Sequence, residues 1–248
     1  MFQGFSQATN DFLWGIRFNN ERPWFEAHKQ TYLDHVQTPM RQLAQEVYEK
    51  FSARHEALPL MVRVSRIYRD ARRLYGRGPY KSHLWFSLRM AGDRWAERPV
   101  LWFEIYPAGY AYGMGIYEAK PATMARFRQD MDEHPQTMMK LARAFQKQTR
   151  FRLEGEEYKR AKGHPQPPLD QWYNRKTIDL TCQREMDALL YSPGLVEELL
   201  DAFEELLPYY HYFTALCSRG GVSGAGCFET HFVNRWKHSY FKIRNWLR

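Results

Sequence analysis

The stretch VLWFEIYPAGYAYGMGIY, residues 100–117, decides the fold of this chain. Its two halves, 100–106 and 110–117, are rich in the aromatic and β-branched residues that are typical of strands. Between them lie Pro107, Ala108 and Gly109, which favour a tight turn. The glycines at 113 and 115 fit a strand in which glycine leaves space for a neighbouring ring. The stretch therefore predicts an antiparallel hairpin.

Two further strand patterns precede this hairpin. Residues 61–69 (MVRVSRIYR) alternate apolar and polar side chains, and residues 84–90 (LWFSLRM) are again rich in large apolar residues. Four consecutive strands with short connections indicate an antiparallel sheet, because parallel strands need long crossover connections. Residues 151–181 contain several prolines and are expected to be irregular, with a short strand at residues 150–155.

Helical periodicity flanks the sheet on both sides. The first fifty residues predict helices, with a break at Asn19 and Asn20, a start near Pro23, and a kink or restart at Pro39. After the sheet, helices are predicted at residues 122–134, 137–148 and 193–207. The predicted fold class is α+β: a central antiparallel β-sheet of about four or more strands, flanked by N-terminal and C-terminal helices.

The 248 residues are expected to form one α+β domain over residues 1–217 and a C-terminal extension over residues 218–248. The extension begins with SRGGVSGAG, a composition typical of a flexible linker, and continues as a basic, aromatic segment. Two interpretations of the extension are open. It binds a nucleic acid or a membrane surface, or it is an addition without an ancient role.

The net charge of +8 is unevenly distributed along the chain. Residues 219–248 hold six Lys or Arg against one acid, a net of +5, which leaves 8 − 5 = +3 for everything before them. Within that part, residues 61–90 hold eight Lys or Arg against one acid, a local +7. A local patch on a weakly charged body indicates a compact anionic partner better than it indicates a long polyanion.

Cysteine usage and hydropathy indicate the compartment. Three cysteines without a C-x-x-C spacing argue for a reducing environment and against a disulfide framework or a zinc site. No apolar run approaches eighteen residues, and the N-terminus lacks the pattern of a signal peptide. We therefore expect a cytoplasmic protein with no membrane span, no metal and no cofactor.

The most charged segment, residues 66–83, reads RIYRDARRLYGRGPYKSH and joins two predicted strands. If those strands are neighbours, Arg69 and Arg72 come near Lys81 and His83. Arginine forks, a lysine and a histidine in one place suit a phosphate or carboxylate ligand. The alternative is a solvated hairpin loop whose arginines pair with nearby acids.

Two acids are candidates for pairing with this basic segment. Arg66 and Asp70 share a strand parity, so we expect them to pair. Glu104 shares its predicted strand face with Trp102 and Tyr106, where a carboxylate must be paired or shift its pKa. Glu104 is therefore either the partner of an arginine or a catalytic base.

A second cluster lies in NNERPWFEAHK, residues 19–29. Trp24, His28 and Tyr32 share one helical face, and Lys29 lies beside it. The indole could stack on a base or ribose, and His28 could act as a general acid. The alternative is that Trp24 and Phe25 are core anchors and that His28 is a hydrogen-bonded interior histidine.

These segments resemble a widespread bacterial family of conserved domains of unknown function, which is marked by an R-x-x-R-D-x-R-F motif. The matching patterns are N-N-x-R-x-W-F-x-x-H-K-x-x-Y at residues 19–32, R-I-Y-R-D-x-R at 66–72 and P-Y-K-S-H at 79–83. The resemblance extends to about residue 215 and implies a shared basic and aromatic site without naming a reaction. Arg73 replaces the family's phenylalanine, and Gly76 and Arg77 replace an acid and a lysine. We therefore expect Arg73 and Arg77 to be dispensable.

The function hypothesis is a basic, aromatic cleft that binds a phosphorylated or otherwise anionic ligand, such as a nucleotide, with catalysis left open. The predicted ligand-binding residues are Arg22, Trp24, Lys29, Arg66, Arg69, Asp70, Arg72, Tyr80 and Lys81. The candidate catalytic residues are His28, His83 and Glu104. Two alternatives are open: a nucleic-acid-binding module that uses the same patch and the basic tail, or an interaction protein whose arginines form structural ion pairs. None of the common nucleotide-binding, hydrolase or metalloprotease motifs is present to decide among them.

Overall fold

A computed structural model of the protein describes residues 1–218 except residues 71, 73, 75 and 93. The helices are α1 (Gln7–Phe18), α2 (Arg22–Ala27), α3 (Lys29–Tyr32), α4 (Thr38–Arg54), α5 (Pro121–Glu133), α6 (Pro135–Lys147), α7 (Asp170–Tyr173) and α8 (Leu195–Ser218). The strands are β1 (Leu60–Val64), β2 (Leu84–Met90), β3 (Pro99–Tyr106), β4 (Gly109–Ile116), β5 (Arg152–Glu154) and β6 (Asp179–Arg184). A π-helical turn (Leu33–Gln37) precedes α4, and a 3₁₀ turn (Trp95–Glu97) precedes β3.

The six strands form one antiparallel sheet in the order β1-β2-β3-β4-β6-β5. The hairpin predicted from residues 100–117 is its centre, with Tyr106 paired to Gly109 across the turn and Pro99 paired to Ile116 at the far end. Together with the helices on either side in sequence, this confirms the predicted α+β fold. The predicted division at residue 217 falls at the end of α8, and the extension beyond Ser218, with its expected flexibility, lies outside the described residues.

The sheet has two different faces, which we call the core face and the second face. On the core face, α4 and α8 cover large apolar side chains that include Phe86, Phe103 and Tyr112. The alternate residues on the second face are more polar and include Ser87 and Glu104, both buried. This alternation follows from the period of two in a strand, so each strand contributes to both faces.

Helix α8 confirms the amphipathic pattern predicted for residues 193–207 and extends it by three turns to Ser218. The buried stripe of α8 includes Leu199, Phe203, Leu206 and Phe213. Pro208 lies inside the helix without ending it. Burial of this stripe on the sheet removes several large apolar side chains from water, each worth about 1.5–3 kcal/mol.

The N-terminal helices break where the sequence predicts, and tertiary contacts explain the second break. Helix α1 ends before Asn19, and the π-helical turn lies just before Pro39. Proline has no N–H to donate to the carbonyl of His35 four residues earlier. The hydroxyl of Thr9 on α1 donates to that carbonyl instead, at 2.6 Å. The π-helical turn is thus also a point of contact between α1 and the chain before α4.

Strand β4 approaches β6 so closely that a side chain is excluded between them. A Cβ on Gly113 would collide with the carbonyl oxygen of Leu180 on β6. The space left by Gly113 is therefore filled by backbone, whereas the sequence pattern predicted a neighbouring ring. Any larger residue here would force the two strands apart.

Three elements differ from the sequence predictions. Strand β1 ends at Val64, and the predicted continuation to Arg69 is reduced to one isolated bridge between Tyr68 and Tyr80. The short strand predicted at residues 150–155 is present as β5, but β6 and α7 lie in the region expected to be irregular. The β6 sequence DLTCQR has only a weak apolar alternation, so the sequence does not predict a strand there. The strand is stabilised by its pairing with β4 and β5.

Within the described ranges, no helix has the length and hydropathy of a membrane span. Cys182 and Cys217 are free thiols, and the third cysteine, Cys227, lies beyond the described residues. The described part of the chain also contains no group of three His, Cys, Asp or Glu side chains arranged to hold a metal ion.

We expect Thr9→Val to reduce the free energy of unfolding by about 1–3 kcal/mol, because the His35 carbonyl then loses its hydroxyl donor. Denaturant unfolding followed by circular dichroism measures the change. Thr9→Ser is the matched control, since it keeps the hydroxyl and should lose much less. Equal stability of Thr9→Val and the wild type would contradict this role for the hydroxyl.

Candidate functional site

The segment from Ser65 to His83 folds back on itself and places the predicted basic residues side by side. The backbone N–H of Arg69 donates to the carbonyl of Pro79, and that of Lys81 donates to the carbonyl of Ile67, both at 2.7 Å. The bridge between Tyr68 and Tyr80 lies between these two bonds. This local pairing, outside the main ladder, brings Arg69 next to Lys81 as the sequence predicted.

Asn20 holds this pairing in place from the end of the first helical segment. Its side-chain amide donates to the carbonyl of Tyr80 at 2.8 Å, and its side-chain oxygen accepts from the N–H of Tyr80 at 2.9 Å. A Cβ on Gly78 would collide with Asn20, so the close approach depends on glycine there. The sequence alone indicates no role for Asn20 beyond ending a helix. In the sequence, only the place of Asn20 in the N-N-x-R-x-W-F pattern indicates that it belongs to the site.

Tyr80 lies in the core of this arrangement. Its ring stacks on Phe25 at a centroid distance of 4.2 Å, and only 2% of the residue is exposed. Burial raises the pKa of the Tyr80 hydroxyl, with further contributions from Tyr68 and Glu26. Tyr80 therefore joins α2 to the basic segment. The sequence predicted that its ring binds a ligand, but in the structure the ring is stacked on a core residue.

Four predicted residues converge on the second face of the sheet: Arg69, Lys81, His83 and Glu104. We call them the basic cluster with its acid. Nε of Arg69 donates to the carbonyl of Tyr80 at 2.8 Å. Nε2 of His83 lies 3.8 Å from Oε1 of Glu104, whose residue is completely buried. Strand pairing of β2 with β3 sets this distance, because Trp85, two residues after His83, pairs with Glu104.

The electrostatics of the cluster follow from burial of like charges. Burial lowers the pKa of Lys81 to about 8, and the positive charges of Arg69 and Arg66 act in the same direction while Glu104 opposes them. Burial also lowers the pKa of His83 well below its usual value, with contributions from Lys81 and Arg69. His83 is therefore neutral at pH 7, and Lys81 is a cation close to losing its proton.

Arg66, Asp70 and Arg72 are arranged differently from the sequence prediction. Asp70 forms a two-point ion pair with Arg72, with Nε and Nη2 of Arg72 at 3.1 and 2.9 Å from its two carboxylate oxygens. The Arg72 side chain is 79% exposed, so this pair adds little to stability. The predicted pairing of Arg66 with Asp70 is therefore wrong: the Asp70 carboxylate binds Arg72, and Arg66 is exposed. The predicted dispensable Arg73 lies outside the described residues.

The second predicted cluster lies on the surface of α2 and at the start of α3. The Trp24 and His28 rings stack at a centroid distance of 4.0 Å, and Nδ1 of His28 lies 2.8 Å from the carbonyl oxygen of Trp24. His28 is exposed, which overturns the alternative of an interior histidine. Lys29 pairs with Glu26 at 3.3 Å. Phe25 is the buried anchor of this helix, as the alternative interpretation held.

The two clusters are linked through the core. Phe25 of α2 contacts both Tyr68 and Tyr80 of the basic segment. Arg22 is exposed, and its charge reaches the Tyr80 hydroxyl. The structure thus brings together Arg69, Lys81, His83 and Glu104, and it leaves Trp24, His28 and Lys29 on a neighbouring helix surface.

A groove of about 550 Å³ lies elsewhere, between α6 and α8. Its walls are mainly apolar and include Leu141, Phe145, Phe151, Tyr209 and Tyr212. None of the residues predicted to bind a ligand lines it. The basic cluster and this groove are therefore separate features of the molecule.

Comparison with known proteins agrees with the resemblance seen in the sequence. A protein-family model for conserved hypothetical proteins, DUF2461, matches residues 8–212. No curated protein matches the chain significantly. The family match covers most of the 248 residues, from α1 into α8, and includes every residue of the basic cluster with its acid. The chain therefore belongs to the DUF2461 family of conserved hypothetical proteins.

Proposed function

We propose that this protein binds a phosphorylated or otherwise anionic small molecule at the basic cluster. Arg69 and Lys81 are the principal side chains that contact it. The observation that carries the proposal is the environment of Lys81, a half-buried ammonium whose pKa is lowered to about 8. Bringing cations together away from water costs free energy, and an anion bound between them offsets part of this cost through electrostatic attraction. A phosphate group fits because it accepts several charge-assisted hydrogen bonds at once.

Arg66 belongs to this site through its charge. It is exposed, and its positive charge contributes to the lowered pKa of Lys81. Among the described residues, no salt bridge joins Arg66 or Lys81 to an acid. Arg72 contributes less, because its guanidinium is engaged with Asp70. Arg69 and Arg72 are three residues apart, and we therefore expect loss of Arg69 to weaken ligand binding and loss of Arg72 to leave it nearly unchanged.

His83 and Glu104 extend the proposal to proton transfer on the bound molecule. Neutral His83 can accept a proton, and the carboxylate of Glu104 lies 3.8 Å from its Nε2. His28 is less suited to that role, because its ring is exposed and its Nδ1 is engaged with the Trp24 carbonyl. Arg22 is exposed on α2 and available for the remainder of a larger ligand such as a nucleotide, whereas the ring of Trp24 is already stacked on His28 and packed on Phe12.

The first prediction for this site concerns the two arginines. Inorganic phosphate or a nucleoside diphosphate at about 100 times its dissociation constant should stabilise the wild type by about 2.7 kcal/mol, which raises Tm by about 5–10 °C. Arg69→Ala should remove this shift, although its own Tm falls because the Tyr80 carbonyl loses a donor. Thermal unfolding with and without ligand measures both quantities.

Arg72→Ala is the matched control and should keep the ligand-induced shift, because its partner is Asp70. Equal loss of the shift in both variants would contradict the proposed site. A shift produced by a short oligonucleotide and by neither phosphate nor nucleotide would favour the nucleic-acid alternative. No shift with any anion, together with unfolding of Arg69→Ala, would favour structural ion pairs.

The second prediction concerns pH. Lys81 has a lowered pKa of about 8, so its positive charge is present below pH 8 and is lost as the pH rises through that value. Sulfate affinity should therefore fall about tenfold between pH 7 and pH 9.5, a loss of about 1.4 kcal/mol. Sulfate is the probe because its own charge is constant over this range, and isothermal titration calorimetry measures the affinity.

Lys81→Arg is the matched control for the pH experiment. A guanidinium stays protonated throughout this range, so the variant should bind sulfate with nearly constant affinity from pH 7 to 9.5. The same decline in both proteins would show that Lys81 is not the titrating group. A flat profile in the wild type would contradict the role of Lys81 in the site.

A further inference from the structure

The groove between α6 and α8 is preformed, because the aromatic side chains along it are fixed by contacts with one another. The hydroxyl of Tyr209 on α8 donates to the carbonyl of Leu141 on α6 at 3.0 Å, which joins the two helices at the groove. The ring of Phe145 meets the rings of Trp172 and Tyr209 edge-on, at centroid distances of 5.3 and 5.9 Å. Side chains held in this way need little rearrangement to accept a ligand.

One end of the groove is closed by the turn that follows α6. The side-chain amide of Gln148 donates to the carbonyls of Phe145 and Phe151, and its side-chain oxygen accepts from the N–H of Phe151 at 2.6 Å. Phe151 is buried and lines the groove at this end. Beside it, Glu205 of α8 pairs with Nη1 of Arg150 at 3.4 Å. The acid at this end of the groove is therefore already paired within the protein.

The groove combines apolar walls with a cation on its rim. The lining residues that are hydrogen-bonded or ion-paired within the protein are Gln148, Glu205, Tyr209 and Tyr212. Lys140 also lines the groove and is exposed, and within the described ranges no salt bridge joins it to an acid. Helix α6 carries three cations, Lys140, Arg143 and Lys147, and no acid. The rim of the groove on α6 is therefore positive, and its charge complements a carboxylate.

The groove is long and follows the axis of α6. Its lining residues on this side run from Thr137 to Gln148 in the i, i+3, i+4 pattern of one helical face, which corresponds to a length of about 16 Å. The volume of about 550 Å³ lies in the range of small-molecule sites. A linear alkyl chain suits this shape, because it can contact the apolar side chains along the whole length of the groove.

We propose that this groove binds an aliphatic carboxylic acid, whose alkyl chain lies along Leu141, Phe145 and Tyr209 and whose carboxylate lies at Lys140. Burial of the alkyl chain drives binding, and Lys140 selects the acid over a neutral molecule of the same length. The ion pair is exposed to solvent, so it contributes less than the chain does. The inference does not depend on the proposed anion site, because no residue of the basic cluster lines the groove.

Isothermal titration calorimetry of the full-length protein with hexanoate, octanoate and decanoate tests the site of the alkyl chain. Each added methylene should raise the affinity by about two- to fourfold. Ala144→Trp, which fills the groove from an exposed position, should weaken decanoate binding at least about tenfold. Ala125→Trp is the matched control, since Ala125 is exposed on α5 and does not line the groove. Equal decanoate affinity in the two variants, or no binding to the wild type, would overturn the proposal.

The same titrations with decanol test the role of Lys140. Lys140→Gln should weaken decanoate binding by about two- to fivefold and leave decanol binding unchanged, because only the carboxylate is attracted by the ammonium group. Lys147→Gln is the matched control, since Lys147 is exposed on the same helix and does not line the groove. An equal loss of decanoate affinity in both variants would overturn the placement of the carboxylate at Lys140. Decanol bound as tightly as decanoate by the wild type would overturn it as well.

Discussion

The hairpin of β3 and β4 is buried on both faces, and this burial constrains the rest of the structure. Every residue of β4 and all but the last residue of β3 are buried. Such a pair needs helices against its large side chains and small or partnered side chains on its other face. The first condition places α4 and α8 over Phe103 and Tyr112. The second explains why Gly113 is in contact with backbone and why Glu104 has to be held among charged neighbours.

The candidate site follows from the need for partners for the buried polar side chains on the second face of the sheet. Glu104 is fixed by the register of β3 against β2, and the same register brings His83 within 3.8 Å of it. Lys81 then lies in surroundings where its pKa falls to about 8, near Arg69, which the Tyr80 carbonyl orients. Asn20, which follows α1, determines how closely the segment around Tyr80 approaches the end of that helix, through its two hydrogen bonds to Tyr80. The proposed anion site therefore arises from charge on a buried sheet face.

Prediction from the sequence succeeded where one residue pattern dominated and failed where pairing partners mattered. The hairpin, α1 and α8 were predicted because their apolar periodicity is strong over eight or more residues. Strand β6 was missed because its short sequence has little alternation of its own. The pairing of Arg66 with Asp70 was predicted from strand parity, but the chain leaves the ladder after Val64. Ile67 is then buried, and Arg66 is exposed and not paired as predicted.

The sequence by itself determined the elements, the antiparallel hairpin at the centre and the identity of the charged residues, since these depend on local periodicity and composition. Only the tertiary structure decided which charges meet. Arg69, Lys81 and His83 come from the segment between β1 and β2, and Glu104 comes from β3. Their distances depend on strand register and on the two hydrogen bonds from Asn20. Neither is encoded in spacing along the chain. The pKa of Lys81 is lowered because burial, which only the folded packing creates, controls the electrostatic free energy of a cation, whereas the Arg72 side chain is 79% exposed.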